Sequence, residues 1–258
     1  MKTRLTAAGI HFLLSASVIF LFLSVIYLIW YPEPFHTIHS VFDAVKIALL
    51  VDLVLGPFLT LVIFNLRKPR SELIRDISII ILIQFSALIW GMHITHKMRP
   101  VFMVFQGDTF YSIIKEDIKI DVLNENISPP AIWQQPEWAY IEPLNSEEAI
   151  QRMDNVVRGK LIKGEMYQAN KYRPLSMQID SLYMQDILNH TMSGSKLLNT
   201  MTWGQQIEQF LQIQNRTIED LLFYPVINPG KFDGIIIFNK NDFSFAGLIN
   251  QAPAPVSD

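Results

Sequence analysis

The chain has 258 residues, of which 50% are hydrophobic, and its formal net charge at pH 7 is −3. It contains no cysteine, which excludes structural disulfides, thiolate catalysis and metal sites with cysteine ligands. Residues 1–100 carry nine basic and five acidic side chains, whereas residues 101–258 carry twelve and nineteen. This acidic second part lacks the basic footprint that nucleic-acid binding requires, so we expect no nucleic-acid partner.

Three apolar runs occupy the first 100 residues, at residues 9–31, 41–64 and 77–96. Each is close to the length of about 17–25 residues that crosses a bilayer. The first run is longer than the apolar region of a cleaved signal peptide, and it ends in Trp30 and Tyr31, which favour the headgroup level. The sequence therefore predicts a domain of three transmembrane helices over residues 1–98, embedded in a lipid bilayer.

The distribution of Lys and Arg predicts the orientation of these helices, because short cytoplasmic loops are enriched in both residues. Lys2 and Arg4 precede the first run, and residues 65–76 between the second and third runs carry four basic side chains. The loop after the first run, residues 32–40, carries none. We expect a multi-pass membrane protein with a cytoplasmic N-terminus and with all residues after 97 on the outer side, which in a bacterium is the periplasm.

An acidic residue, Asp52, lies inside the second apolar run. A carboxylate at that depth costs several kcal/mol unless it is neutral, paired or solvated, which makes it a candidate functional residue. The following Gly56 and Pro57 would kink the helix and open a groove. Depth matching places Asp52 at the level of Gln84 and Ser86 in the third run, and between Ser17 and Ser24 in the first. Either this polar layer recognises a partner helix or acts as a proton-sensitive switch, or a neutral Asp52, hydrogen-bonded to Gln84 or a serine, joins the three helices to one another.

Metal binding and catalysis are not expected. Four histidines, His36, His39, His93 and His96, would meet at one membrane face, but they adjoin prolines and aromatic residues as interfacial residues do. The sequence has no nucleophile elbow, zinc-protease motif or phosphate-binding glycine loop, and an aspartic protease would need a second buried carboxylate. We predict no cofactor and no enzyme activity.

The sequence of residues 99–250 predicts an α+β domain with helices and a mostly antiparallel sheet. A loose tail is predicted over residues 251–258. Val101–Phe105 has the pattern of a buried strand, and the spacing of apolar residues in Thr109–Val122 favours a helix. Asn145 or Ser146 can cap a helix that runs to about Val157. Three β-rich segments follow Leu221, with a hairpin turn at residues 239–242.

An aromatic stretch, residues 133–140, contains Trp133 and Trp138. Exposed tryptophans are common anchors at protein interfaces, so both are candidates for partner binding. The alternative interpretation is that the stretch covers the core of the domain.

The first hundred residues resemble a known family. The residues that carry the resemblance are Trp30-Tyr31-Pro32, the segment Val51 to Val62 with its Asp-Leu-Val-Leu-Gly-Pro sequence, Asn65, Lys68-Pro69-Arg70, Glu72 to Asp76, and Arg99-Pro100-Val101-Phe102. This pattern is similar to the TfpX/TfpZ family of type IV pilin accessory proteins. The match is specific over about residues 5–105 and looser beyond them.

The resemblance implies an inner-membrane accessory protein, a pilin-specific chaperone or assembly factor for type IV pili. Such a protein would bind its cognate major pilin through both its transmembrane helices and its periplasmic domain, and could contact other pilus assembly proteins of the inner membrane. The residues we expect at the partner surface are Asp52, Gly56, Pro57, Gln84, Trp133 and Trp138. The alternatives are a membrane-bound enzyme that modifies pilin and a sensor subunit with a periplasmic ligand-binding domain.

Overall fold

The computed structural model describes most of the chain. The described residues are 2–39, 41, 45–46, 49–65, 67–118, 127–141, 144–158, 164–175, 182–200, 203–228 and 232–250. The predicted tail, residues 251–258, lies outside them.

The chain forms two compact units. The first, which we call the helical unit, comprises Met1–Arg99 together with Trp133–Gln135. The second, the sheet unit, comprises Pro100–Ile132 and Pro136–Asp258.

The helical unit is built from apolar helices. Helix α1 spans Lys2–Val25 and continues into a π-helical turn at Ile26–Trp30; a short helix α2 follows at Phe35–Ile38. A second π-helical turn, Leu50–Leu55, leads directly into α3, Gly56–Ile63. The long helix α4 spans Arg70–Lys97.

The expectation of three transmembrane helices is wrong. Among the described residues, two helices are long and apolar enough to cross a membrane, Lys2–Trp30 and Arg70–Lys97. The second apolar run contributes only a shorter apolar helix, Asp52–Ile63, and part of that run lies outside the described residues. Helix α3 ends at Phe64, whose extended backbone stops the hydrogen-bond ladder. Hydropathy alone predicts one continuous helix over this run. In the structure, the helical hydrogen bonding changes register at the π-helical turn.

Helices α1 and α4 run in the same direction within the helical unit. Near their C-terminal ends, the hydroxyl of Tyr31 donates a hydrogen bond to the carbonyl of Thr95 at 2.9 Å. Towards their N-terminal halves, His11 of α1 contacts Gln84 of α4. The chain between them must therefore return from one end of the unit to the other. The N-terminal apolar helix indicates a membrane anchor, followed by the C-terminal sheet unit.

The sheet unit contains a seven-stranded sheet. Its strands are β1 (Pro100–Gln106), β2 (Thr109–Ile114), β3 (Glu137–Ile141), β4 (Tyr172–Pro174), β5 (Leu221–Asn228), β6 (Phe232–Asn239) and β7 (Phe245–Asn250). They lie in the order β4-β3-β1-β2-β5-β6-β7.

The sheet is mixed, so the prediction of a mostly antiparallel sheet needs correction. Strand β1 pairs in parallel with β3, and β2 pairs in parallel with β5, while the other neighbours are antiparallel. The two parallel pairs arise because long connections return the chain to the growing sheet in the same direction. Short-range turn signals cannot predict such pairings, since the partners are far apart in sequence.

The predicted helix over Thr109–Val122 is also wrong. The structure has strand β2 there, followed by a 3₁₀ turn at Lys115–Asp117. Gly107, with a φ of 67°, makes the tight turn that folds β2 back onto β1. The apolar side chains of this segment have a helical spacing, but they are aromatic or β-branched and suit a sheet. Pairing with the buried strand β1 in a hairpin therefore determines the conformation.

Side chains from both faces of the sheet are buried. One face carries an aromatic cluster, which consists of Phe105, Phe110, Trp138, Tyr140, Tyr224, Phe238 and Phe243. Helix α6 (Leu182–Asn189) covers this face, because Tyr140 donates to Asp186 at 2.7 Å and Tyr224 to the carbonyl of Ile187 at 3.0 Å. On the opposite face, α7 (Gly194–Leu198) and α8 (Gly204–Gln214) pack Leu197 and Ile207 into the cluster with Phe223 and Ile237.

Helix α5 spans Ser146–Val157 and begins with a reciprocal cap. The amide of Glu148 donates to the Asn145 side chain at 2.9 Å, and the amide of Asn145 donates to the Glu148 carboxylate at 3.1 Å. This is the capping box, and it selects Asn145 over Ser146 as the capping residue. Lys171 also donates to the Glu148 carboxylate at 2.5 Å, which joins the start of α5 to the turn before β4.

The cap of α5 should weaken in acid. The hydrogen bond from Lys171, together with that from Asn145, lowers the pKa of Glu148 below its ordinary range. The cap is therefore stabilised above the unfolded-state pKa, and this contribution is lost as the pH falls through the lower folded-state pKa. We expect hydrogen-exchange protection in the first turn of α5 to fall only roughly twofold, because the Glu148 side chain is 40% exposed and water screens its charge. Glu148→Gln should remove this pH dependence; an unchanged dependence in that variant would contradict the assignment.

Candidate functional site

Asp52 lies in the π-helical turn that precedes α3, and its side chain is only 6% exposed. Its Oδ1 atom has no hydrogen-bond partner among the described residues. Its main-chain carbonyl accepts a long hydrogen bond from Nε2 of Gln84 at 3.4 Å. Depth matching from the sequence correctly brings Gln84 close to Asp52, where its amide interacts with both the main-chain carbonyl and the carboxylate.

A histidine that the sequence analysis did not consider organises this region. His11 of α1 lies 2.7 Å from Oε1 of Gln84 through Nε2, and 2.5 Å from the hydroxyl of Thr60 through Nδ1. Because an amide oxygen only accepts, Nε2 of His11 must donate to Gln84, whereas the hydroxyl of Thr60 can donate to Nδ1 or accept from it. His11 thus joins α1, α3 and α4 and orients the amide of Gln84 so that its NH₂ group points towards Asp52.

The three serines expected in the polar layer do not contribute to it. Ser17, Ser24 and Ser86 each donate to the carbonyl four residues earlier in their own helix, at 2.9, 2.8 and 2.8 Å. Such local hydrogen bonds satisfy a hydroxyl without any partner from another helix. Sequence depth alone cannot separate these serines from His11 and Thr60, because rotation of the helix decides which side chain faces inwards.

An open cavity in the helical unit contains these polar groups. It has a volume of about 560 Å³ and is lined by Asp52, His11, Thr60 and Gln84. Apart from Ser15, the rest of its wall is apolar and comes mainly from α1 and α4, including Leu14, Val18, Ile81, Phe85 and Leu88. We call it the Asp52 cavity. Its polarity is concentrated at one place within an apolar wall, which is the usual composition of a ligand pocket.

Gly56 and Pro57 have structural positions in the helical unit. Gly56 is buried where α3 approaches α4 so closely that a Cβ atom on it would lie 2.1 Å from Nε2 of Gln84. Pro57 is half-buried in the first turn of α3, where a helix tolerates proline. Gly56 therefore packs against its own unit.

Replacing Gly56 by alanine should disturb the polar network. The added methyl group displaces Gln84, whose amide is held by His11, and overpacking of this kind costs about 1–3 kcal/mol. We expect a lower melting temperature of the purified chain in detergent. The matched control is Gly91→Ala in α4, where a Cβ meets nothing within 4 Å. Equal melting temperatures for the two variants would contradict the close approach.

The two tryptophans have different environments. Trp138 of β3 is half-buried and packs edge-on against Phe110 and Phe238, with ring centroids 5.5 and 5.6 Å apart. Trp133 is 68% exposed, and the neighbouring Gln135 donates a hydrogen bond to the carbonyl of Leu28 at 3.0 Å. Trp138 thus contributes to a core, whereas Trp133 presents its ring to solvent.

Each of the four histidines predicted at one membrane face lies beside an aromatic ring. The pairs are His36 with Tyr27, His39 with Tyr31, His96 with Trp30 and His93 with Trp90, at centroid distances of 5.8, 5.9, 5.3 and 6.4 Å. Among the described residues, no group of three metal-binding side chains comes together.

The basic and acidic residues before and within the first turns of α4 form ion pairs. Lys68 contacts Asp76 at 2.7 Å, and Arg75 contacts the same carboxylate at 3.5 Å. These residues belong to the pattern that carries the family resemblance. Their geometry gives that part of the pattern a structural role, because the lysine fixes the loop before α4 to the helix.

Comparison with known proteins identifies the class to which the chain belongs. The family model for the fimbrial assembly protein FimB matches residues 1–40. Two fimbrial assembly proteins of Dichelobacter nodosus, from serogroups I and E1, are 28% and 29% identical to the chain over 246 residues, which is 91% of the chain and 90% of each relative. A third, from serogroups C1 and C2, is 40% identical over 116 residues, 45% of the chain and 88% of that relative.

The chain belongs to the fimbrial assembly protein FimB family. No solved structure matches it. The matches support a type IV pilus accessory family, but they do not point to TfpX/TfpZ proteins in particular.

Proposed function

We propose that this chain is a non-enzymatic accessory factor for the assembly of type IV fimbriae, and that it acts as a chaperone for its cognate major pilin. The relatives are named for fimbrial assembly, and the sequence resembles TfpX/TfpZ accessory proteins. The observation that carries the proposal is the open Asp52 cavity in an otherwise apolar helical unit. A unit whose only task was anchorage would gain nothing from a buried carboxylate oxygen left without a partner.

The proposed mechanism uses two contacts. A pilin before polymerisation presents a membrane helix and a globular head, and this chain offers one unit for each. The Asp52 cavity receives side chains of the pilin helix, while the acidic sheet unit and the exposed Trp133 contact the head. Joining two weak contacts in one chain raises the overall affinity through effective concentration.

We also propose the orientation that these contacts require, with the N-terminus in the cytoplasm and the sheet unit in the periplasm. It is supported by the shared direction of α1 and α4 and by the basic residues near both of their N-terminal ends, including Lys2, Arg4, Arg70 and Arg75. Alkaline phosphatase fused after Asn250 should be active, whereas fusion of the same enzyme before α1 should not be. The reverse pattern would overturn the orientation.

The proposed pilin contact can be tested with the full chain and its co-expressed major pilin. Asp52→Asn and Asp52→Ala should each lower the amount of co-purified pilin about tenfold, because both remove the charge from the cavity. The matched control is Glu72→Gln, which removes an exposed carboxylate from the first turn of α4, in the same helical unit; Glu72 does not line the cavity. Wild-type recovery of pilin with both Asp52 variants would refute the membrane contact.

Mass analysis of the pilin tests the non-enzymatic part of the proposal. We expect the pilin to have the same mass in cells with and without this chain. A mass difference that depends on the chain would instead favour a pilin-modifying enzyme.

A further inference from the structure

We propose that the Asp52 cavity binds an apolar segment that carries a protonated amine, and that the carboxylate of Asp52 recognises this amine. The inference rests on the proposed function, since it names the chemical group by which a client would be held in the cavity. It is argued from the hydrogen bonding, the charge and the size of the cavity.

One oxygen of the Asp52 carboxylate lacks a donor from the described residues of the helical unit. The side chain is 6% exposed and lines the cavity, and Oδ1 has no hydrogen-bond partner among the described residues. A buried acceptor that lacks a hydrogen-bond donor normally destabilises the folded state. Such an atom in a residue that lines an open cavity therefore indicates that a ligand supplies the donor.

The neighbouring polar side chains are already engaged with one another. Thr60 is hydrogen-bonded to His11, His11 donates to Gln84, and Gln84 donates to the main-chain carbonyl of Asp52. These hydrogen bonds leave each of the three groups with a partner; the amide of Gln84 also interacts with the Asp52 carboxylate, but none of the three donates to Oδ1. The missing donor must therefore come from outside the network.

The charge of the site favours a cationic donor over a neutral one. The groups that face the carboxylate of Asp52 are Gln84 and His11, and no Lys or Arg among the described residues pairs with it. An amine with a positive charge would compensate the buried carboxylate, which a hydroxyl could not do.

The walls of the cavity define the remainder of the ligand. The volume of about 560 Å³ lies within the range of small-ligand pockets, about 300–1,000 Å³, and is too small for an entire helix. Apolar side chains of α1 and α4 surround the polar end. The cavity thus fits a few apolar side chains, or one alkyl chain, with a single amine directed at Asp52.

Two photoreactive probes of equal length test this chemistry directly. Diazirine derivatives of dodecylamine and dodecanol are added to the purified full chain in nanodiscs, and labelled residues are identified by mass spectrometry. Labelling at the less exposed residues of the cavity wall, Ile77 and Leu88, is divided by labelling at the exposed α4 residues Leu82 and Ile89 to correct for partitioning. We expect this ratio to be at least about fivefold higher for the amine than for the alcohol.

Variants of Asp52 separate charge from shape. Asp52→Asn keeps the size of the side chain and should bring the two probes to equal ratios, whereas Asp52→Glu should keep the preference for the amine. Glu72→Gln, which removes a carboxylate that does not line the cavity, should behave as the wild type. Equal ratios in the wild type, or a preserved amine preference in Asp52→Asn, would overturn the inference.

The result can be distinguished from the test of the proposed function. Capture of pilin without any amine preference would overturn this inference and leave the pilin contact standing. An amine preference that depends on Asp52, in a chain that captures no pilin, would support the chemistry of the cavity and refute the pilin as its client.

Discussion

Replacing Phe110 by alanine is expected to lower the free energy of unfolding of the sheet unit by about 3–5 kcal/mol. Phe110 is completely buried at the centre of the aromatic cluster, where its ring lies 4.9 Å from Phe105 and 5.5 Å from both Tyr224 and Trp138. Removing the ring eliminates its contacts with side chains of β1, β3 and β5, because β2 lies in the middle of the sheet.

Thermal unfolding of the full chain, followed by near-UV circular dichroism, measures this loss. For a unit of this size the melting temperature should fall by roughly 10 °C or more. Ile213→Ala is the matched control, because Ile213 belongs to the same unit and is 80% exposed. A Phe110→Ala variant that melts within a degree of the control would show that the cluster does not stabilise the unit.

Replacing Gly204 by alanine is the second substitution expected to have a large effect. Gly204 begins α8, and a Cβ atom there would lie 2.2 Å from the main-chain oxygen of Leu198. The amide of Gly204 also donates to the carbonyl of Thr200 at 3.0 Å, so the backbone cannot shift without breaking that bond. Since the obstacle is backbone rather than a side chain that can rotate, we expect a loss of about 1–3 kcal/mol or more.

The neighbouring Gln205 provides the control for this substitution. It is exposed on the same turn of α8, and alanine there only improves the helix propensity. Hydrogen exchange of α8 and of strands β5 and β6 should rise in Gly204→Ala and stay unchanged in Gln205→Ala. Unchanged exchange in both variants would contradict the close approach of α7 and α8.

The local elements of the sheet unit could be predicted where a short-range signal decides the structure. The turn at residues 239–242 forms as predicted, with the amide of Phe243 donating to the carbonyl of Asn239 at 2.9 Å. The helix after Asn145 likewise begins at its capping residue. The prediction of a helix after Gly107 was wrong, because pairing with β1 determines the conformation of this segment and is not a local property.

The candidate site in the helical unit was predictable only in part. An acid inside an apolar run indicates Asp52, and depth matching indicates Gln84. His11 is visible in the sequence as a polar residue inside the first run, but only the packing of α1 against α3 and α4 shows that its ring joins them. Gly56 was expected at a partner surface because its helix-breaking role is evident in sequence, whereas its contact with Gln84 depends on tertiary structure.

The assignment of Trp133–Gln135 to the helical unit has a consequence for how the chain can be divided. No single cut separates the two units, since a fragment that begins at Pro100 still contains these three residues. In such a fragment the side chain of Gln135 loses its acceptor, the carbonyl of Leu28. A fragment intended to carry the sheet unit alone therefore needs residues 133–135 replaced by a polar linker, and one that keeps Trp133 presents an unsupported aromatic side chain to other molecules.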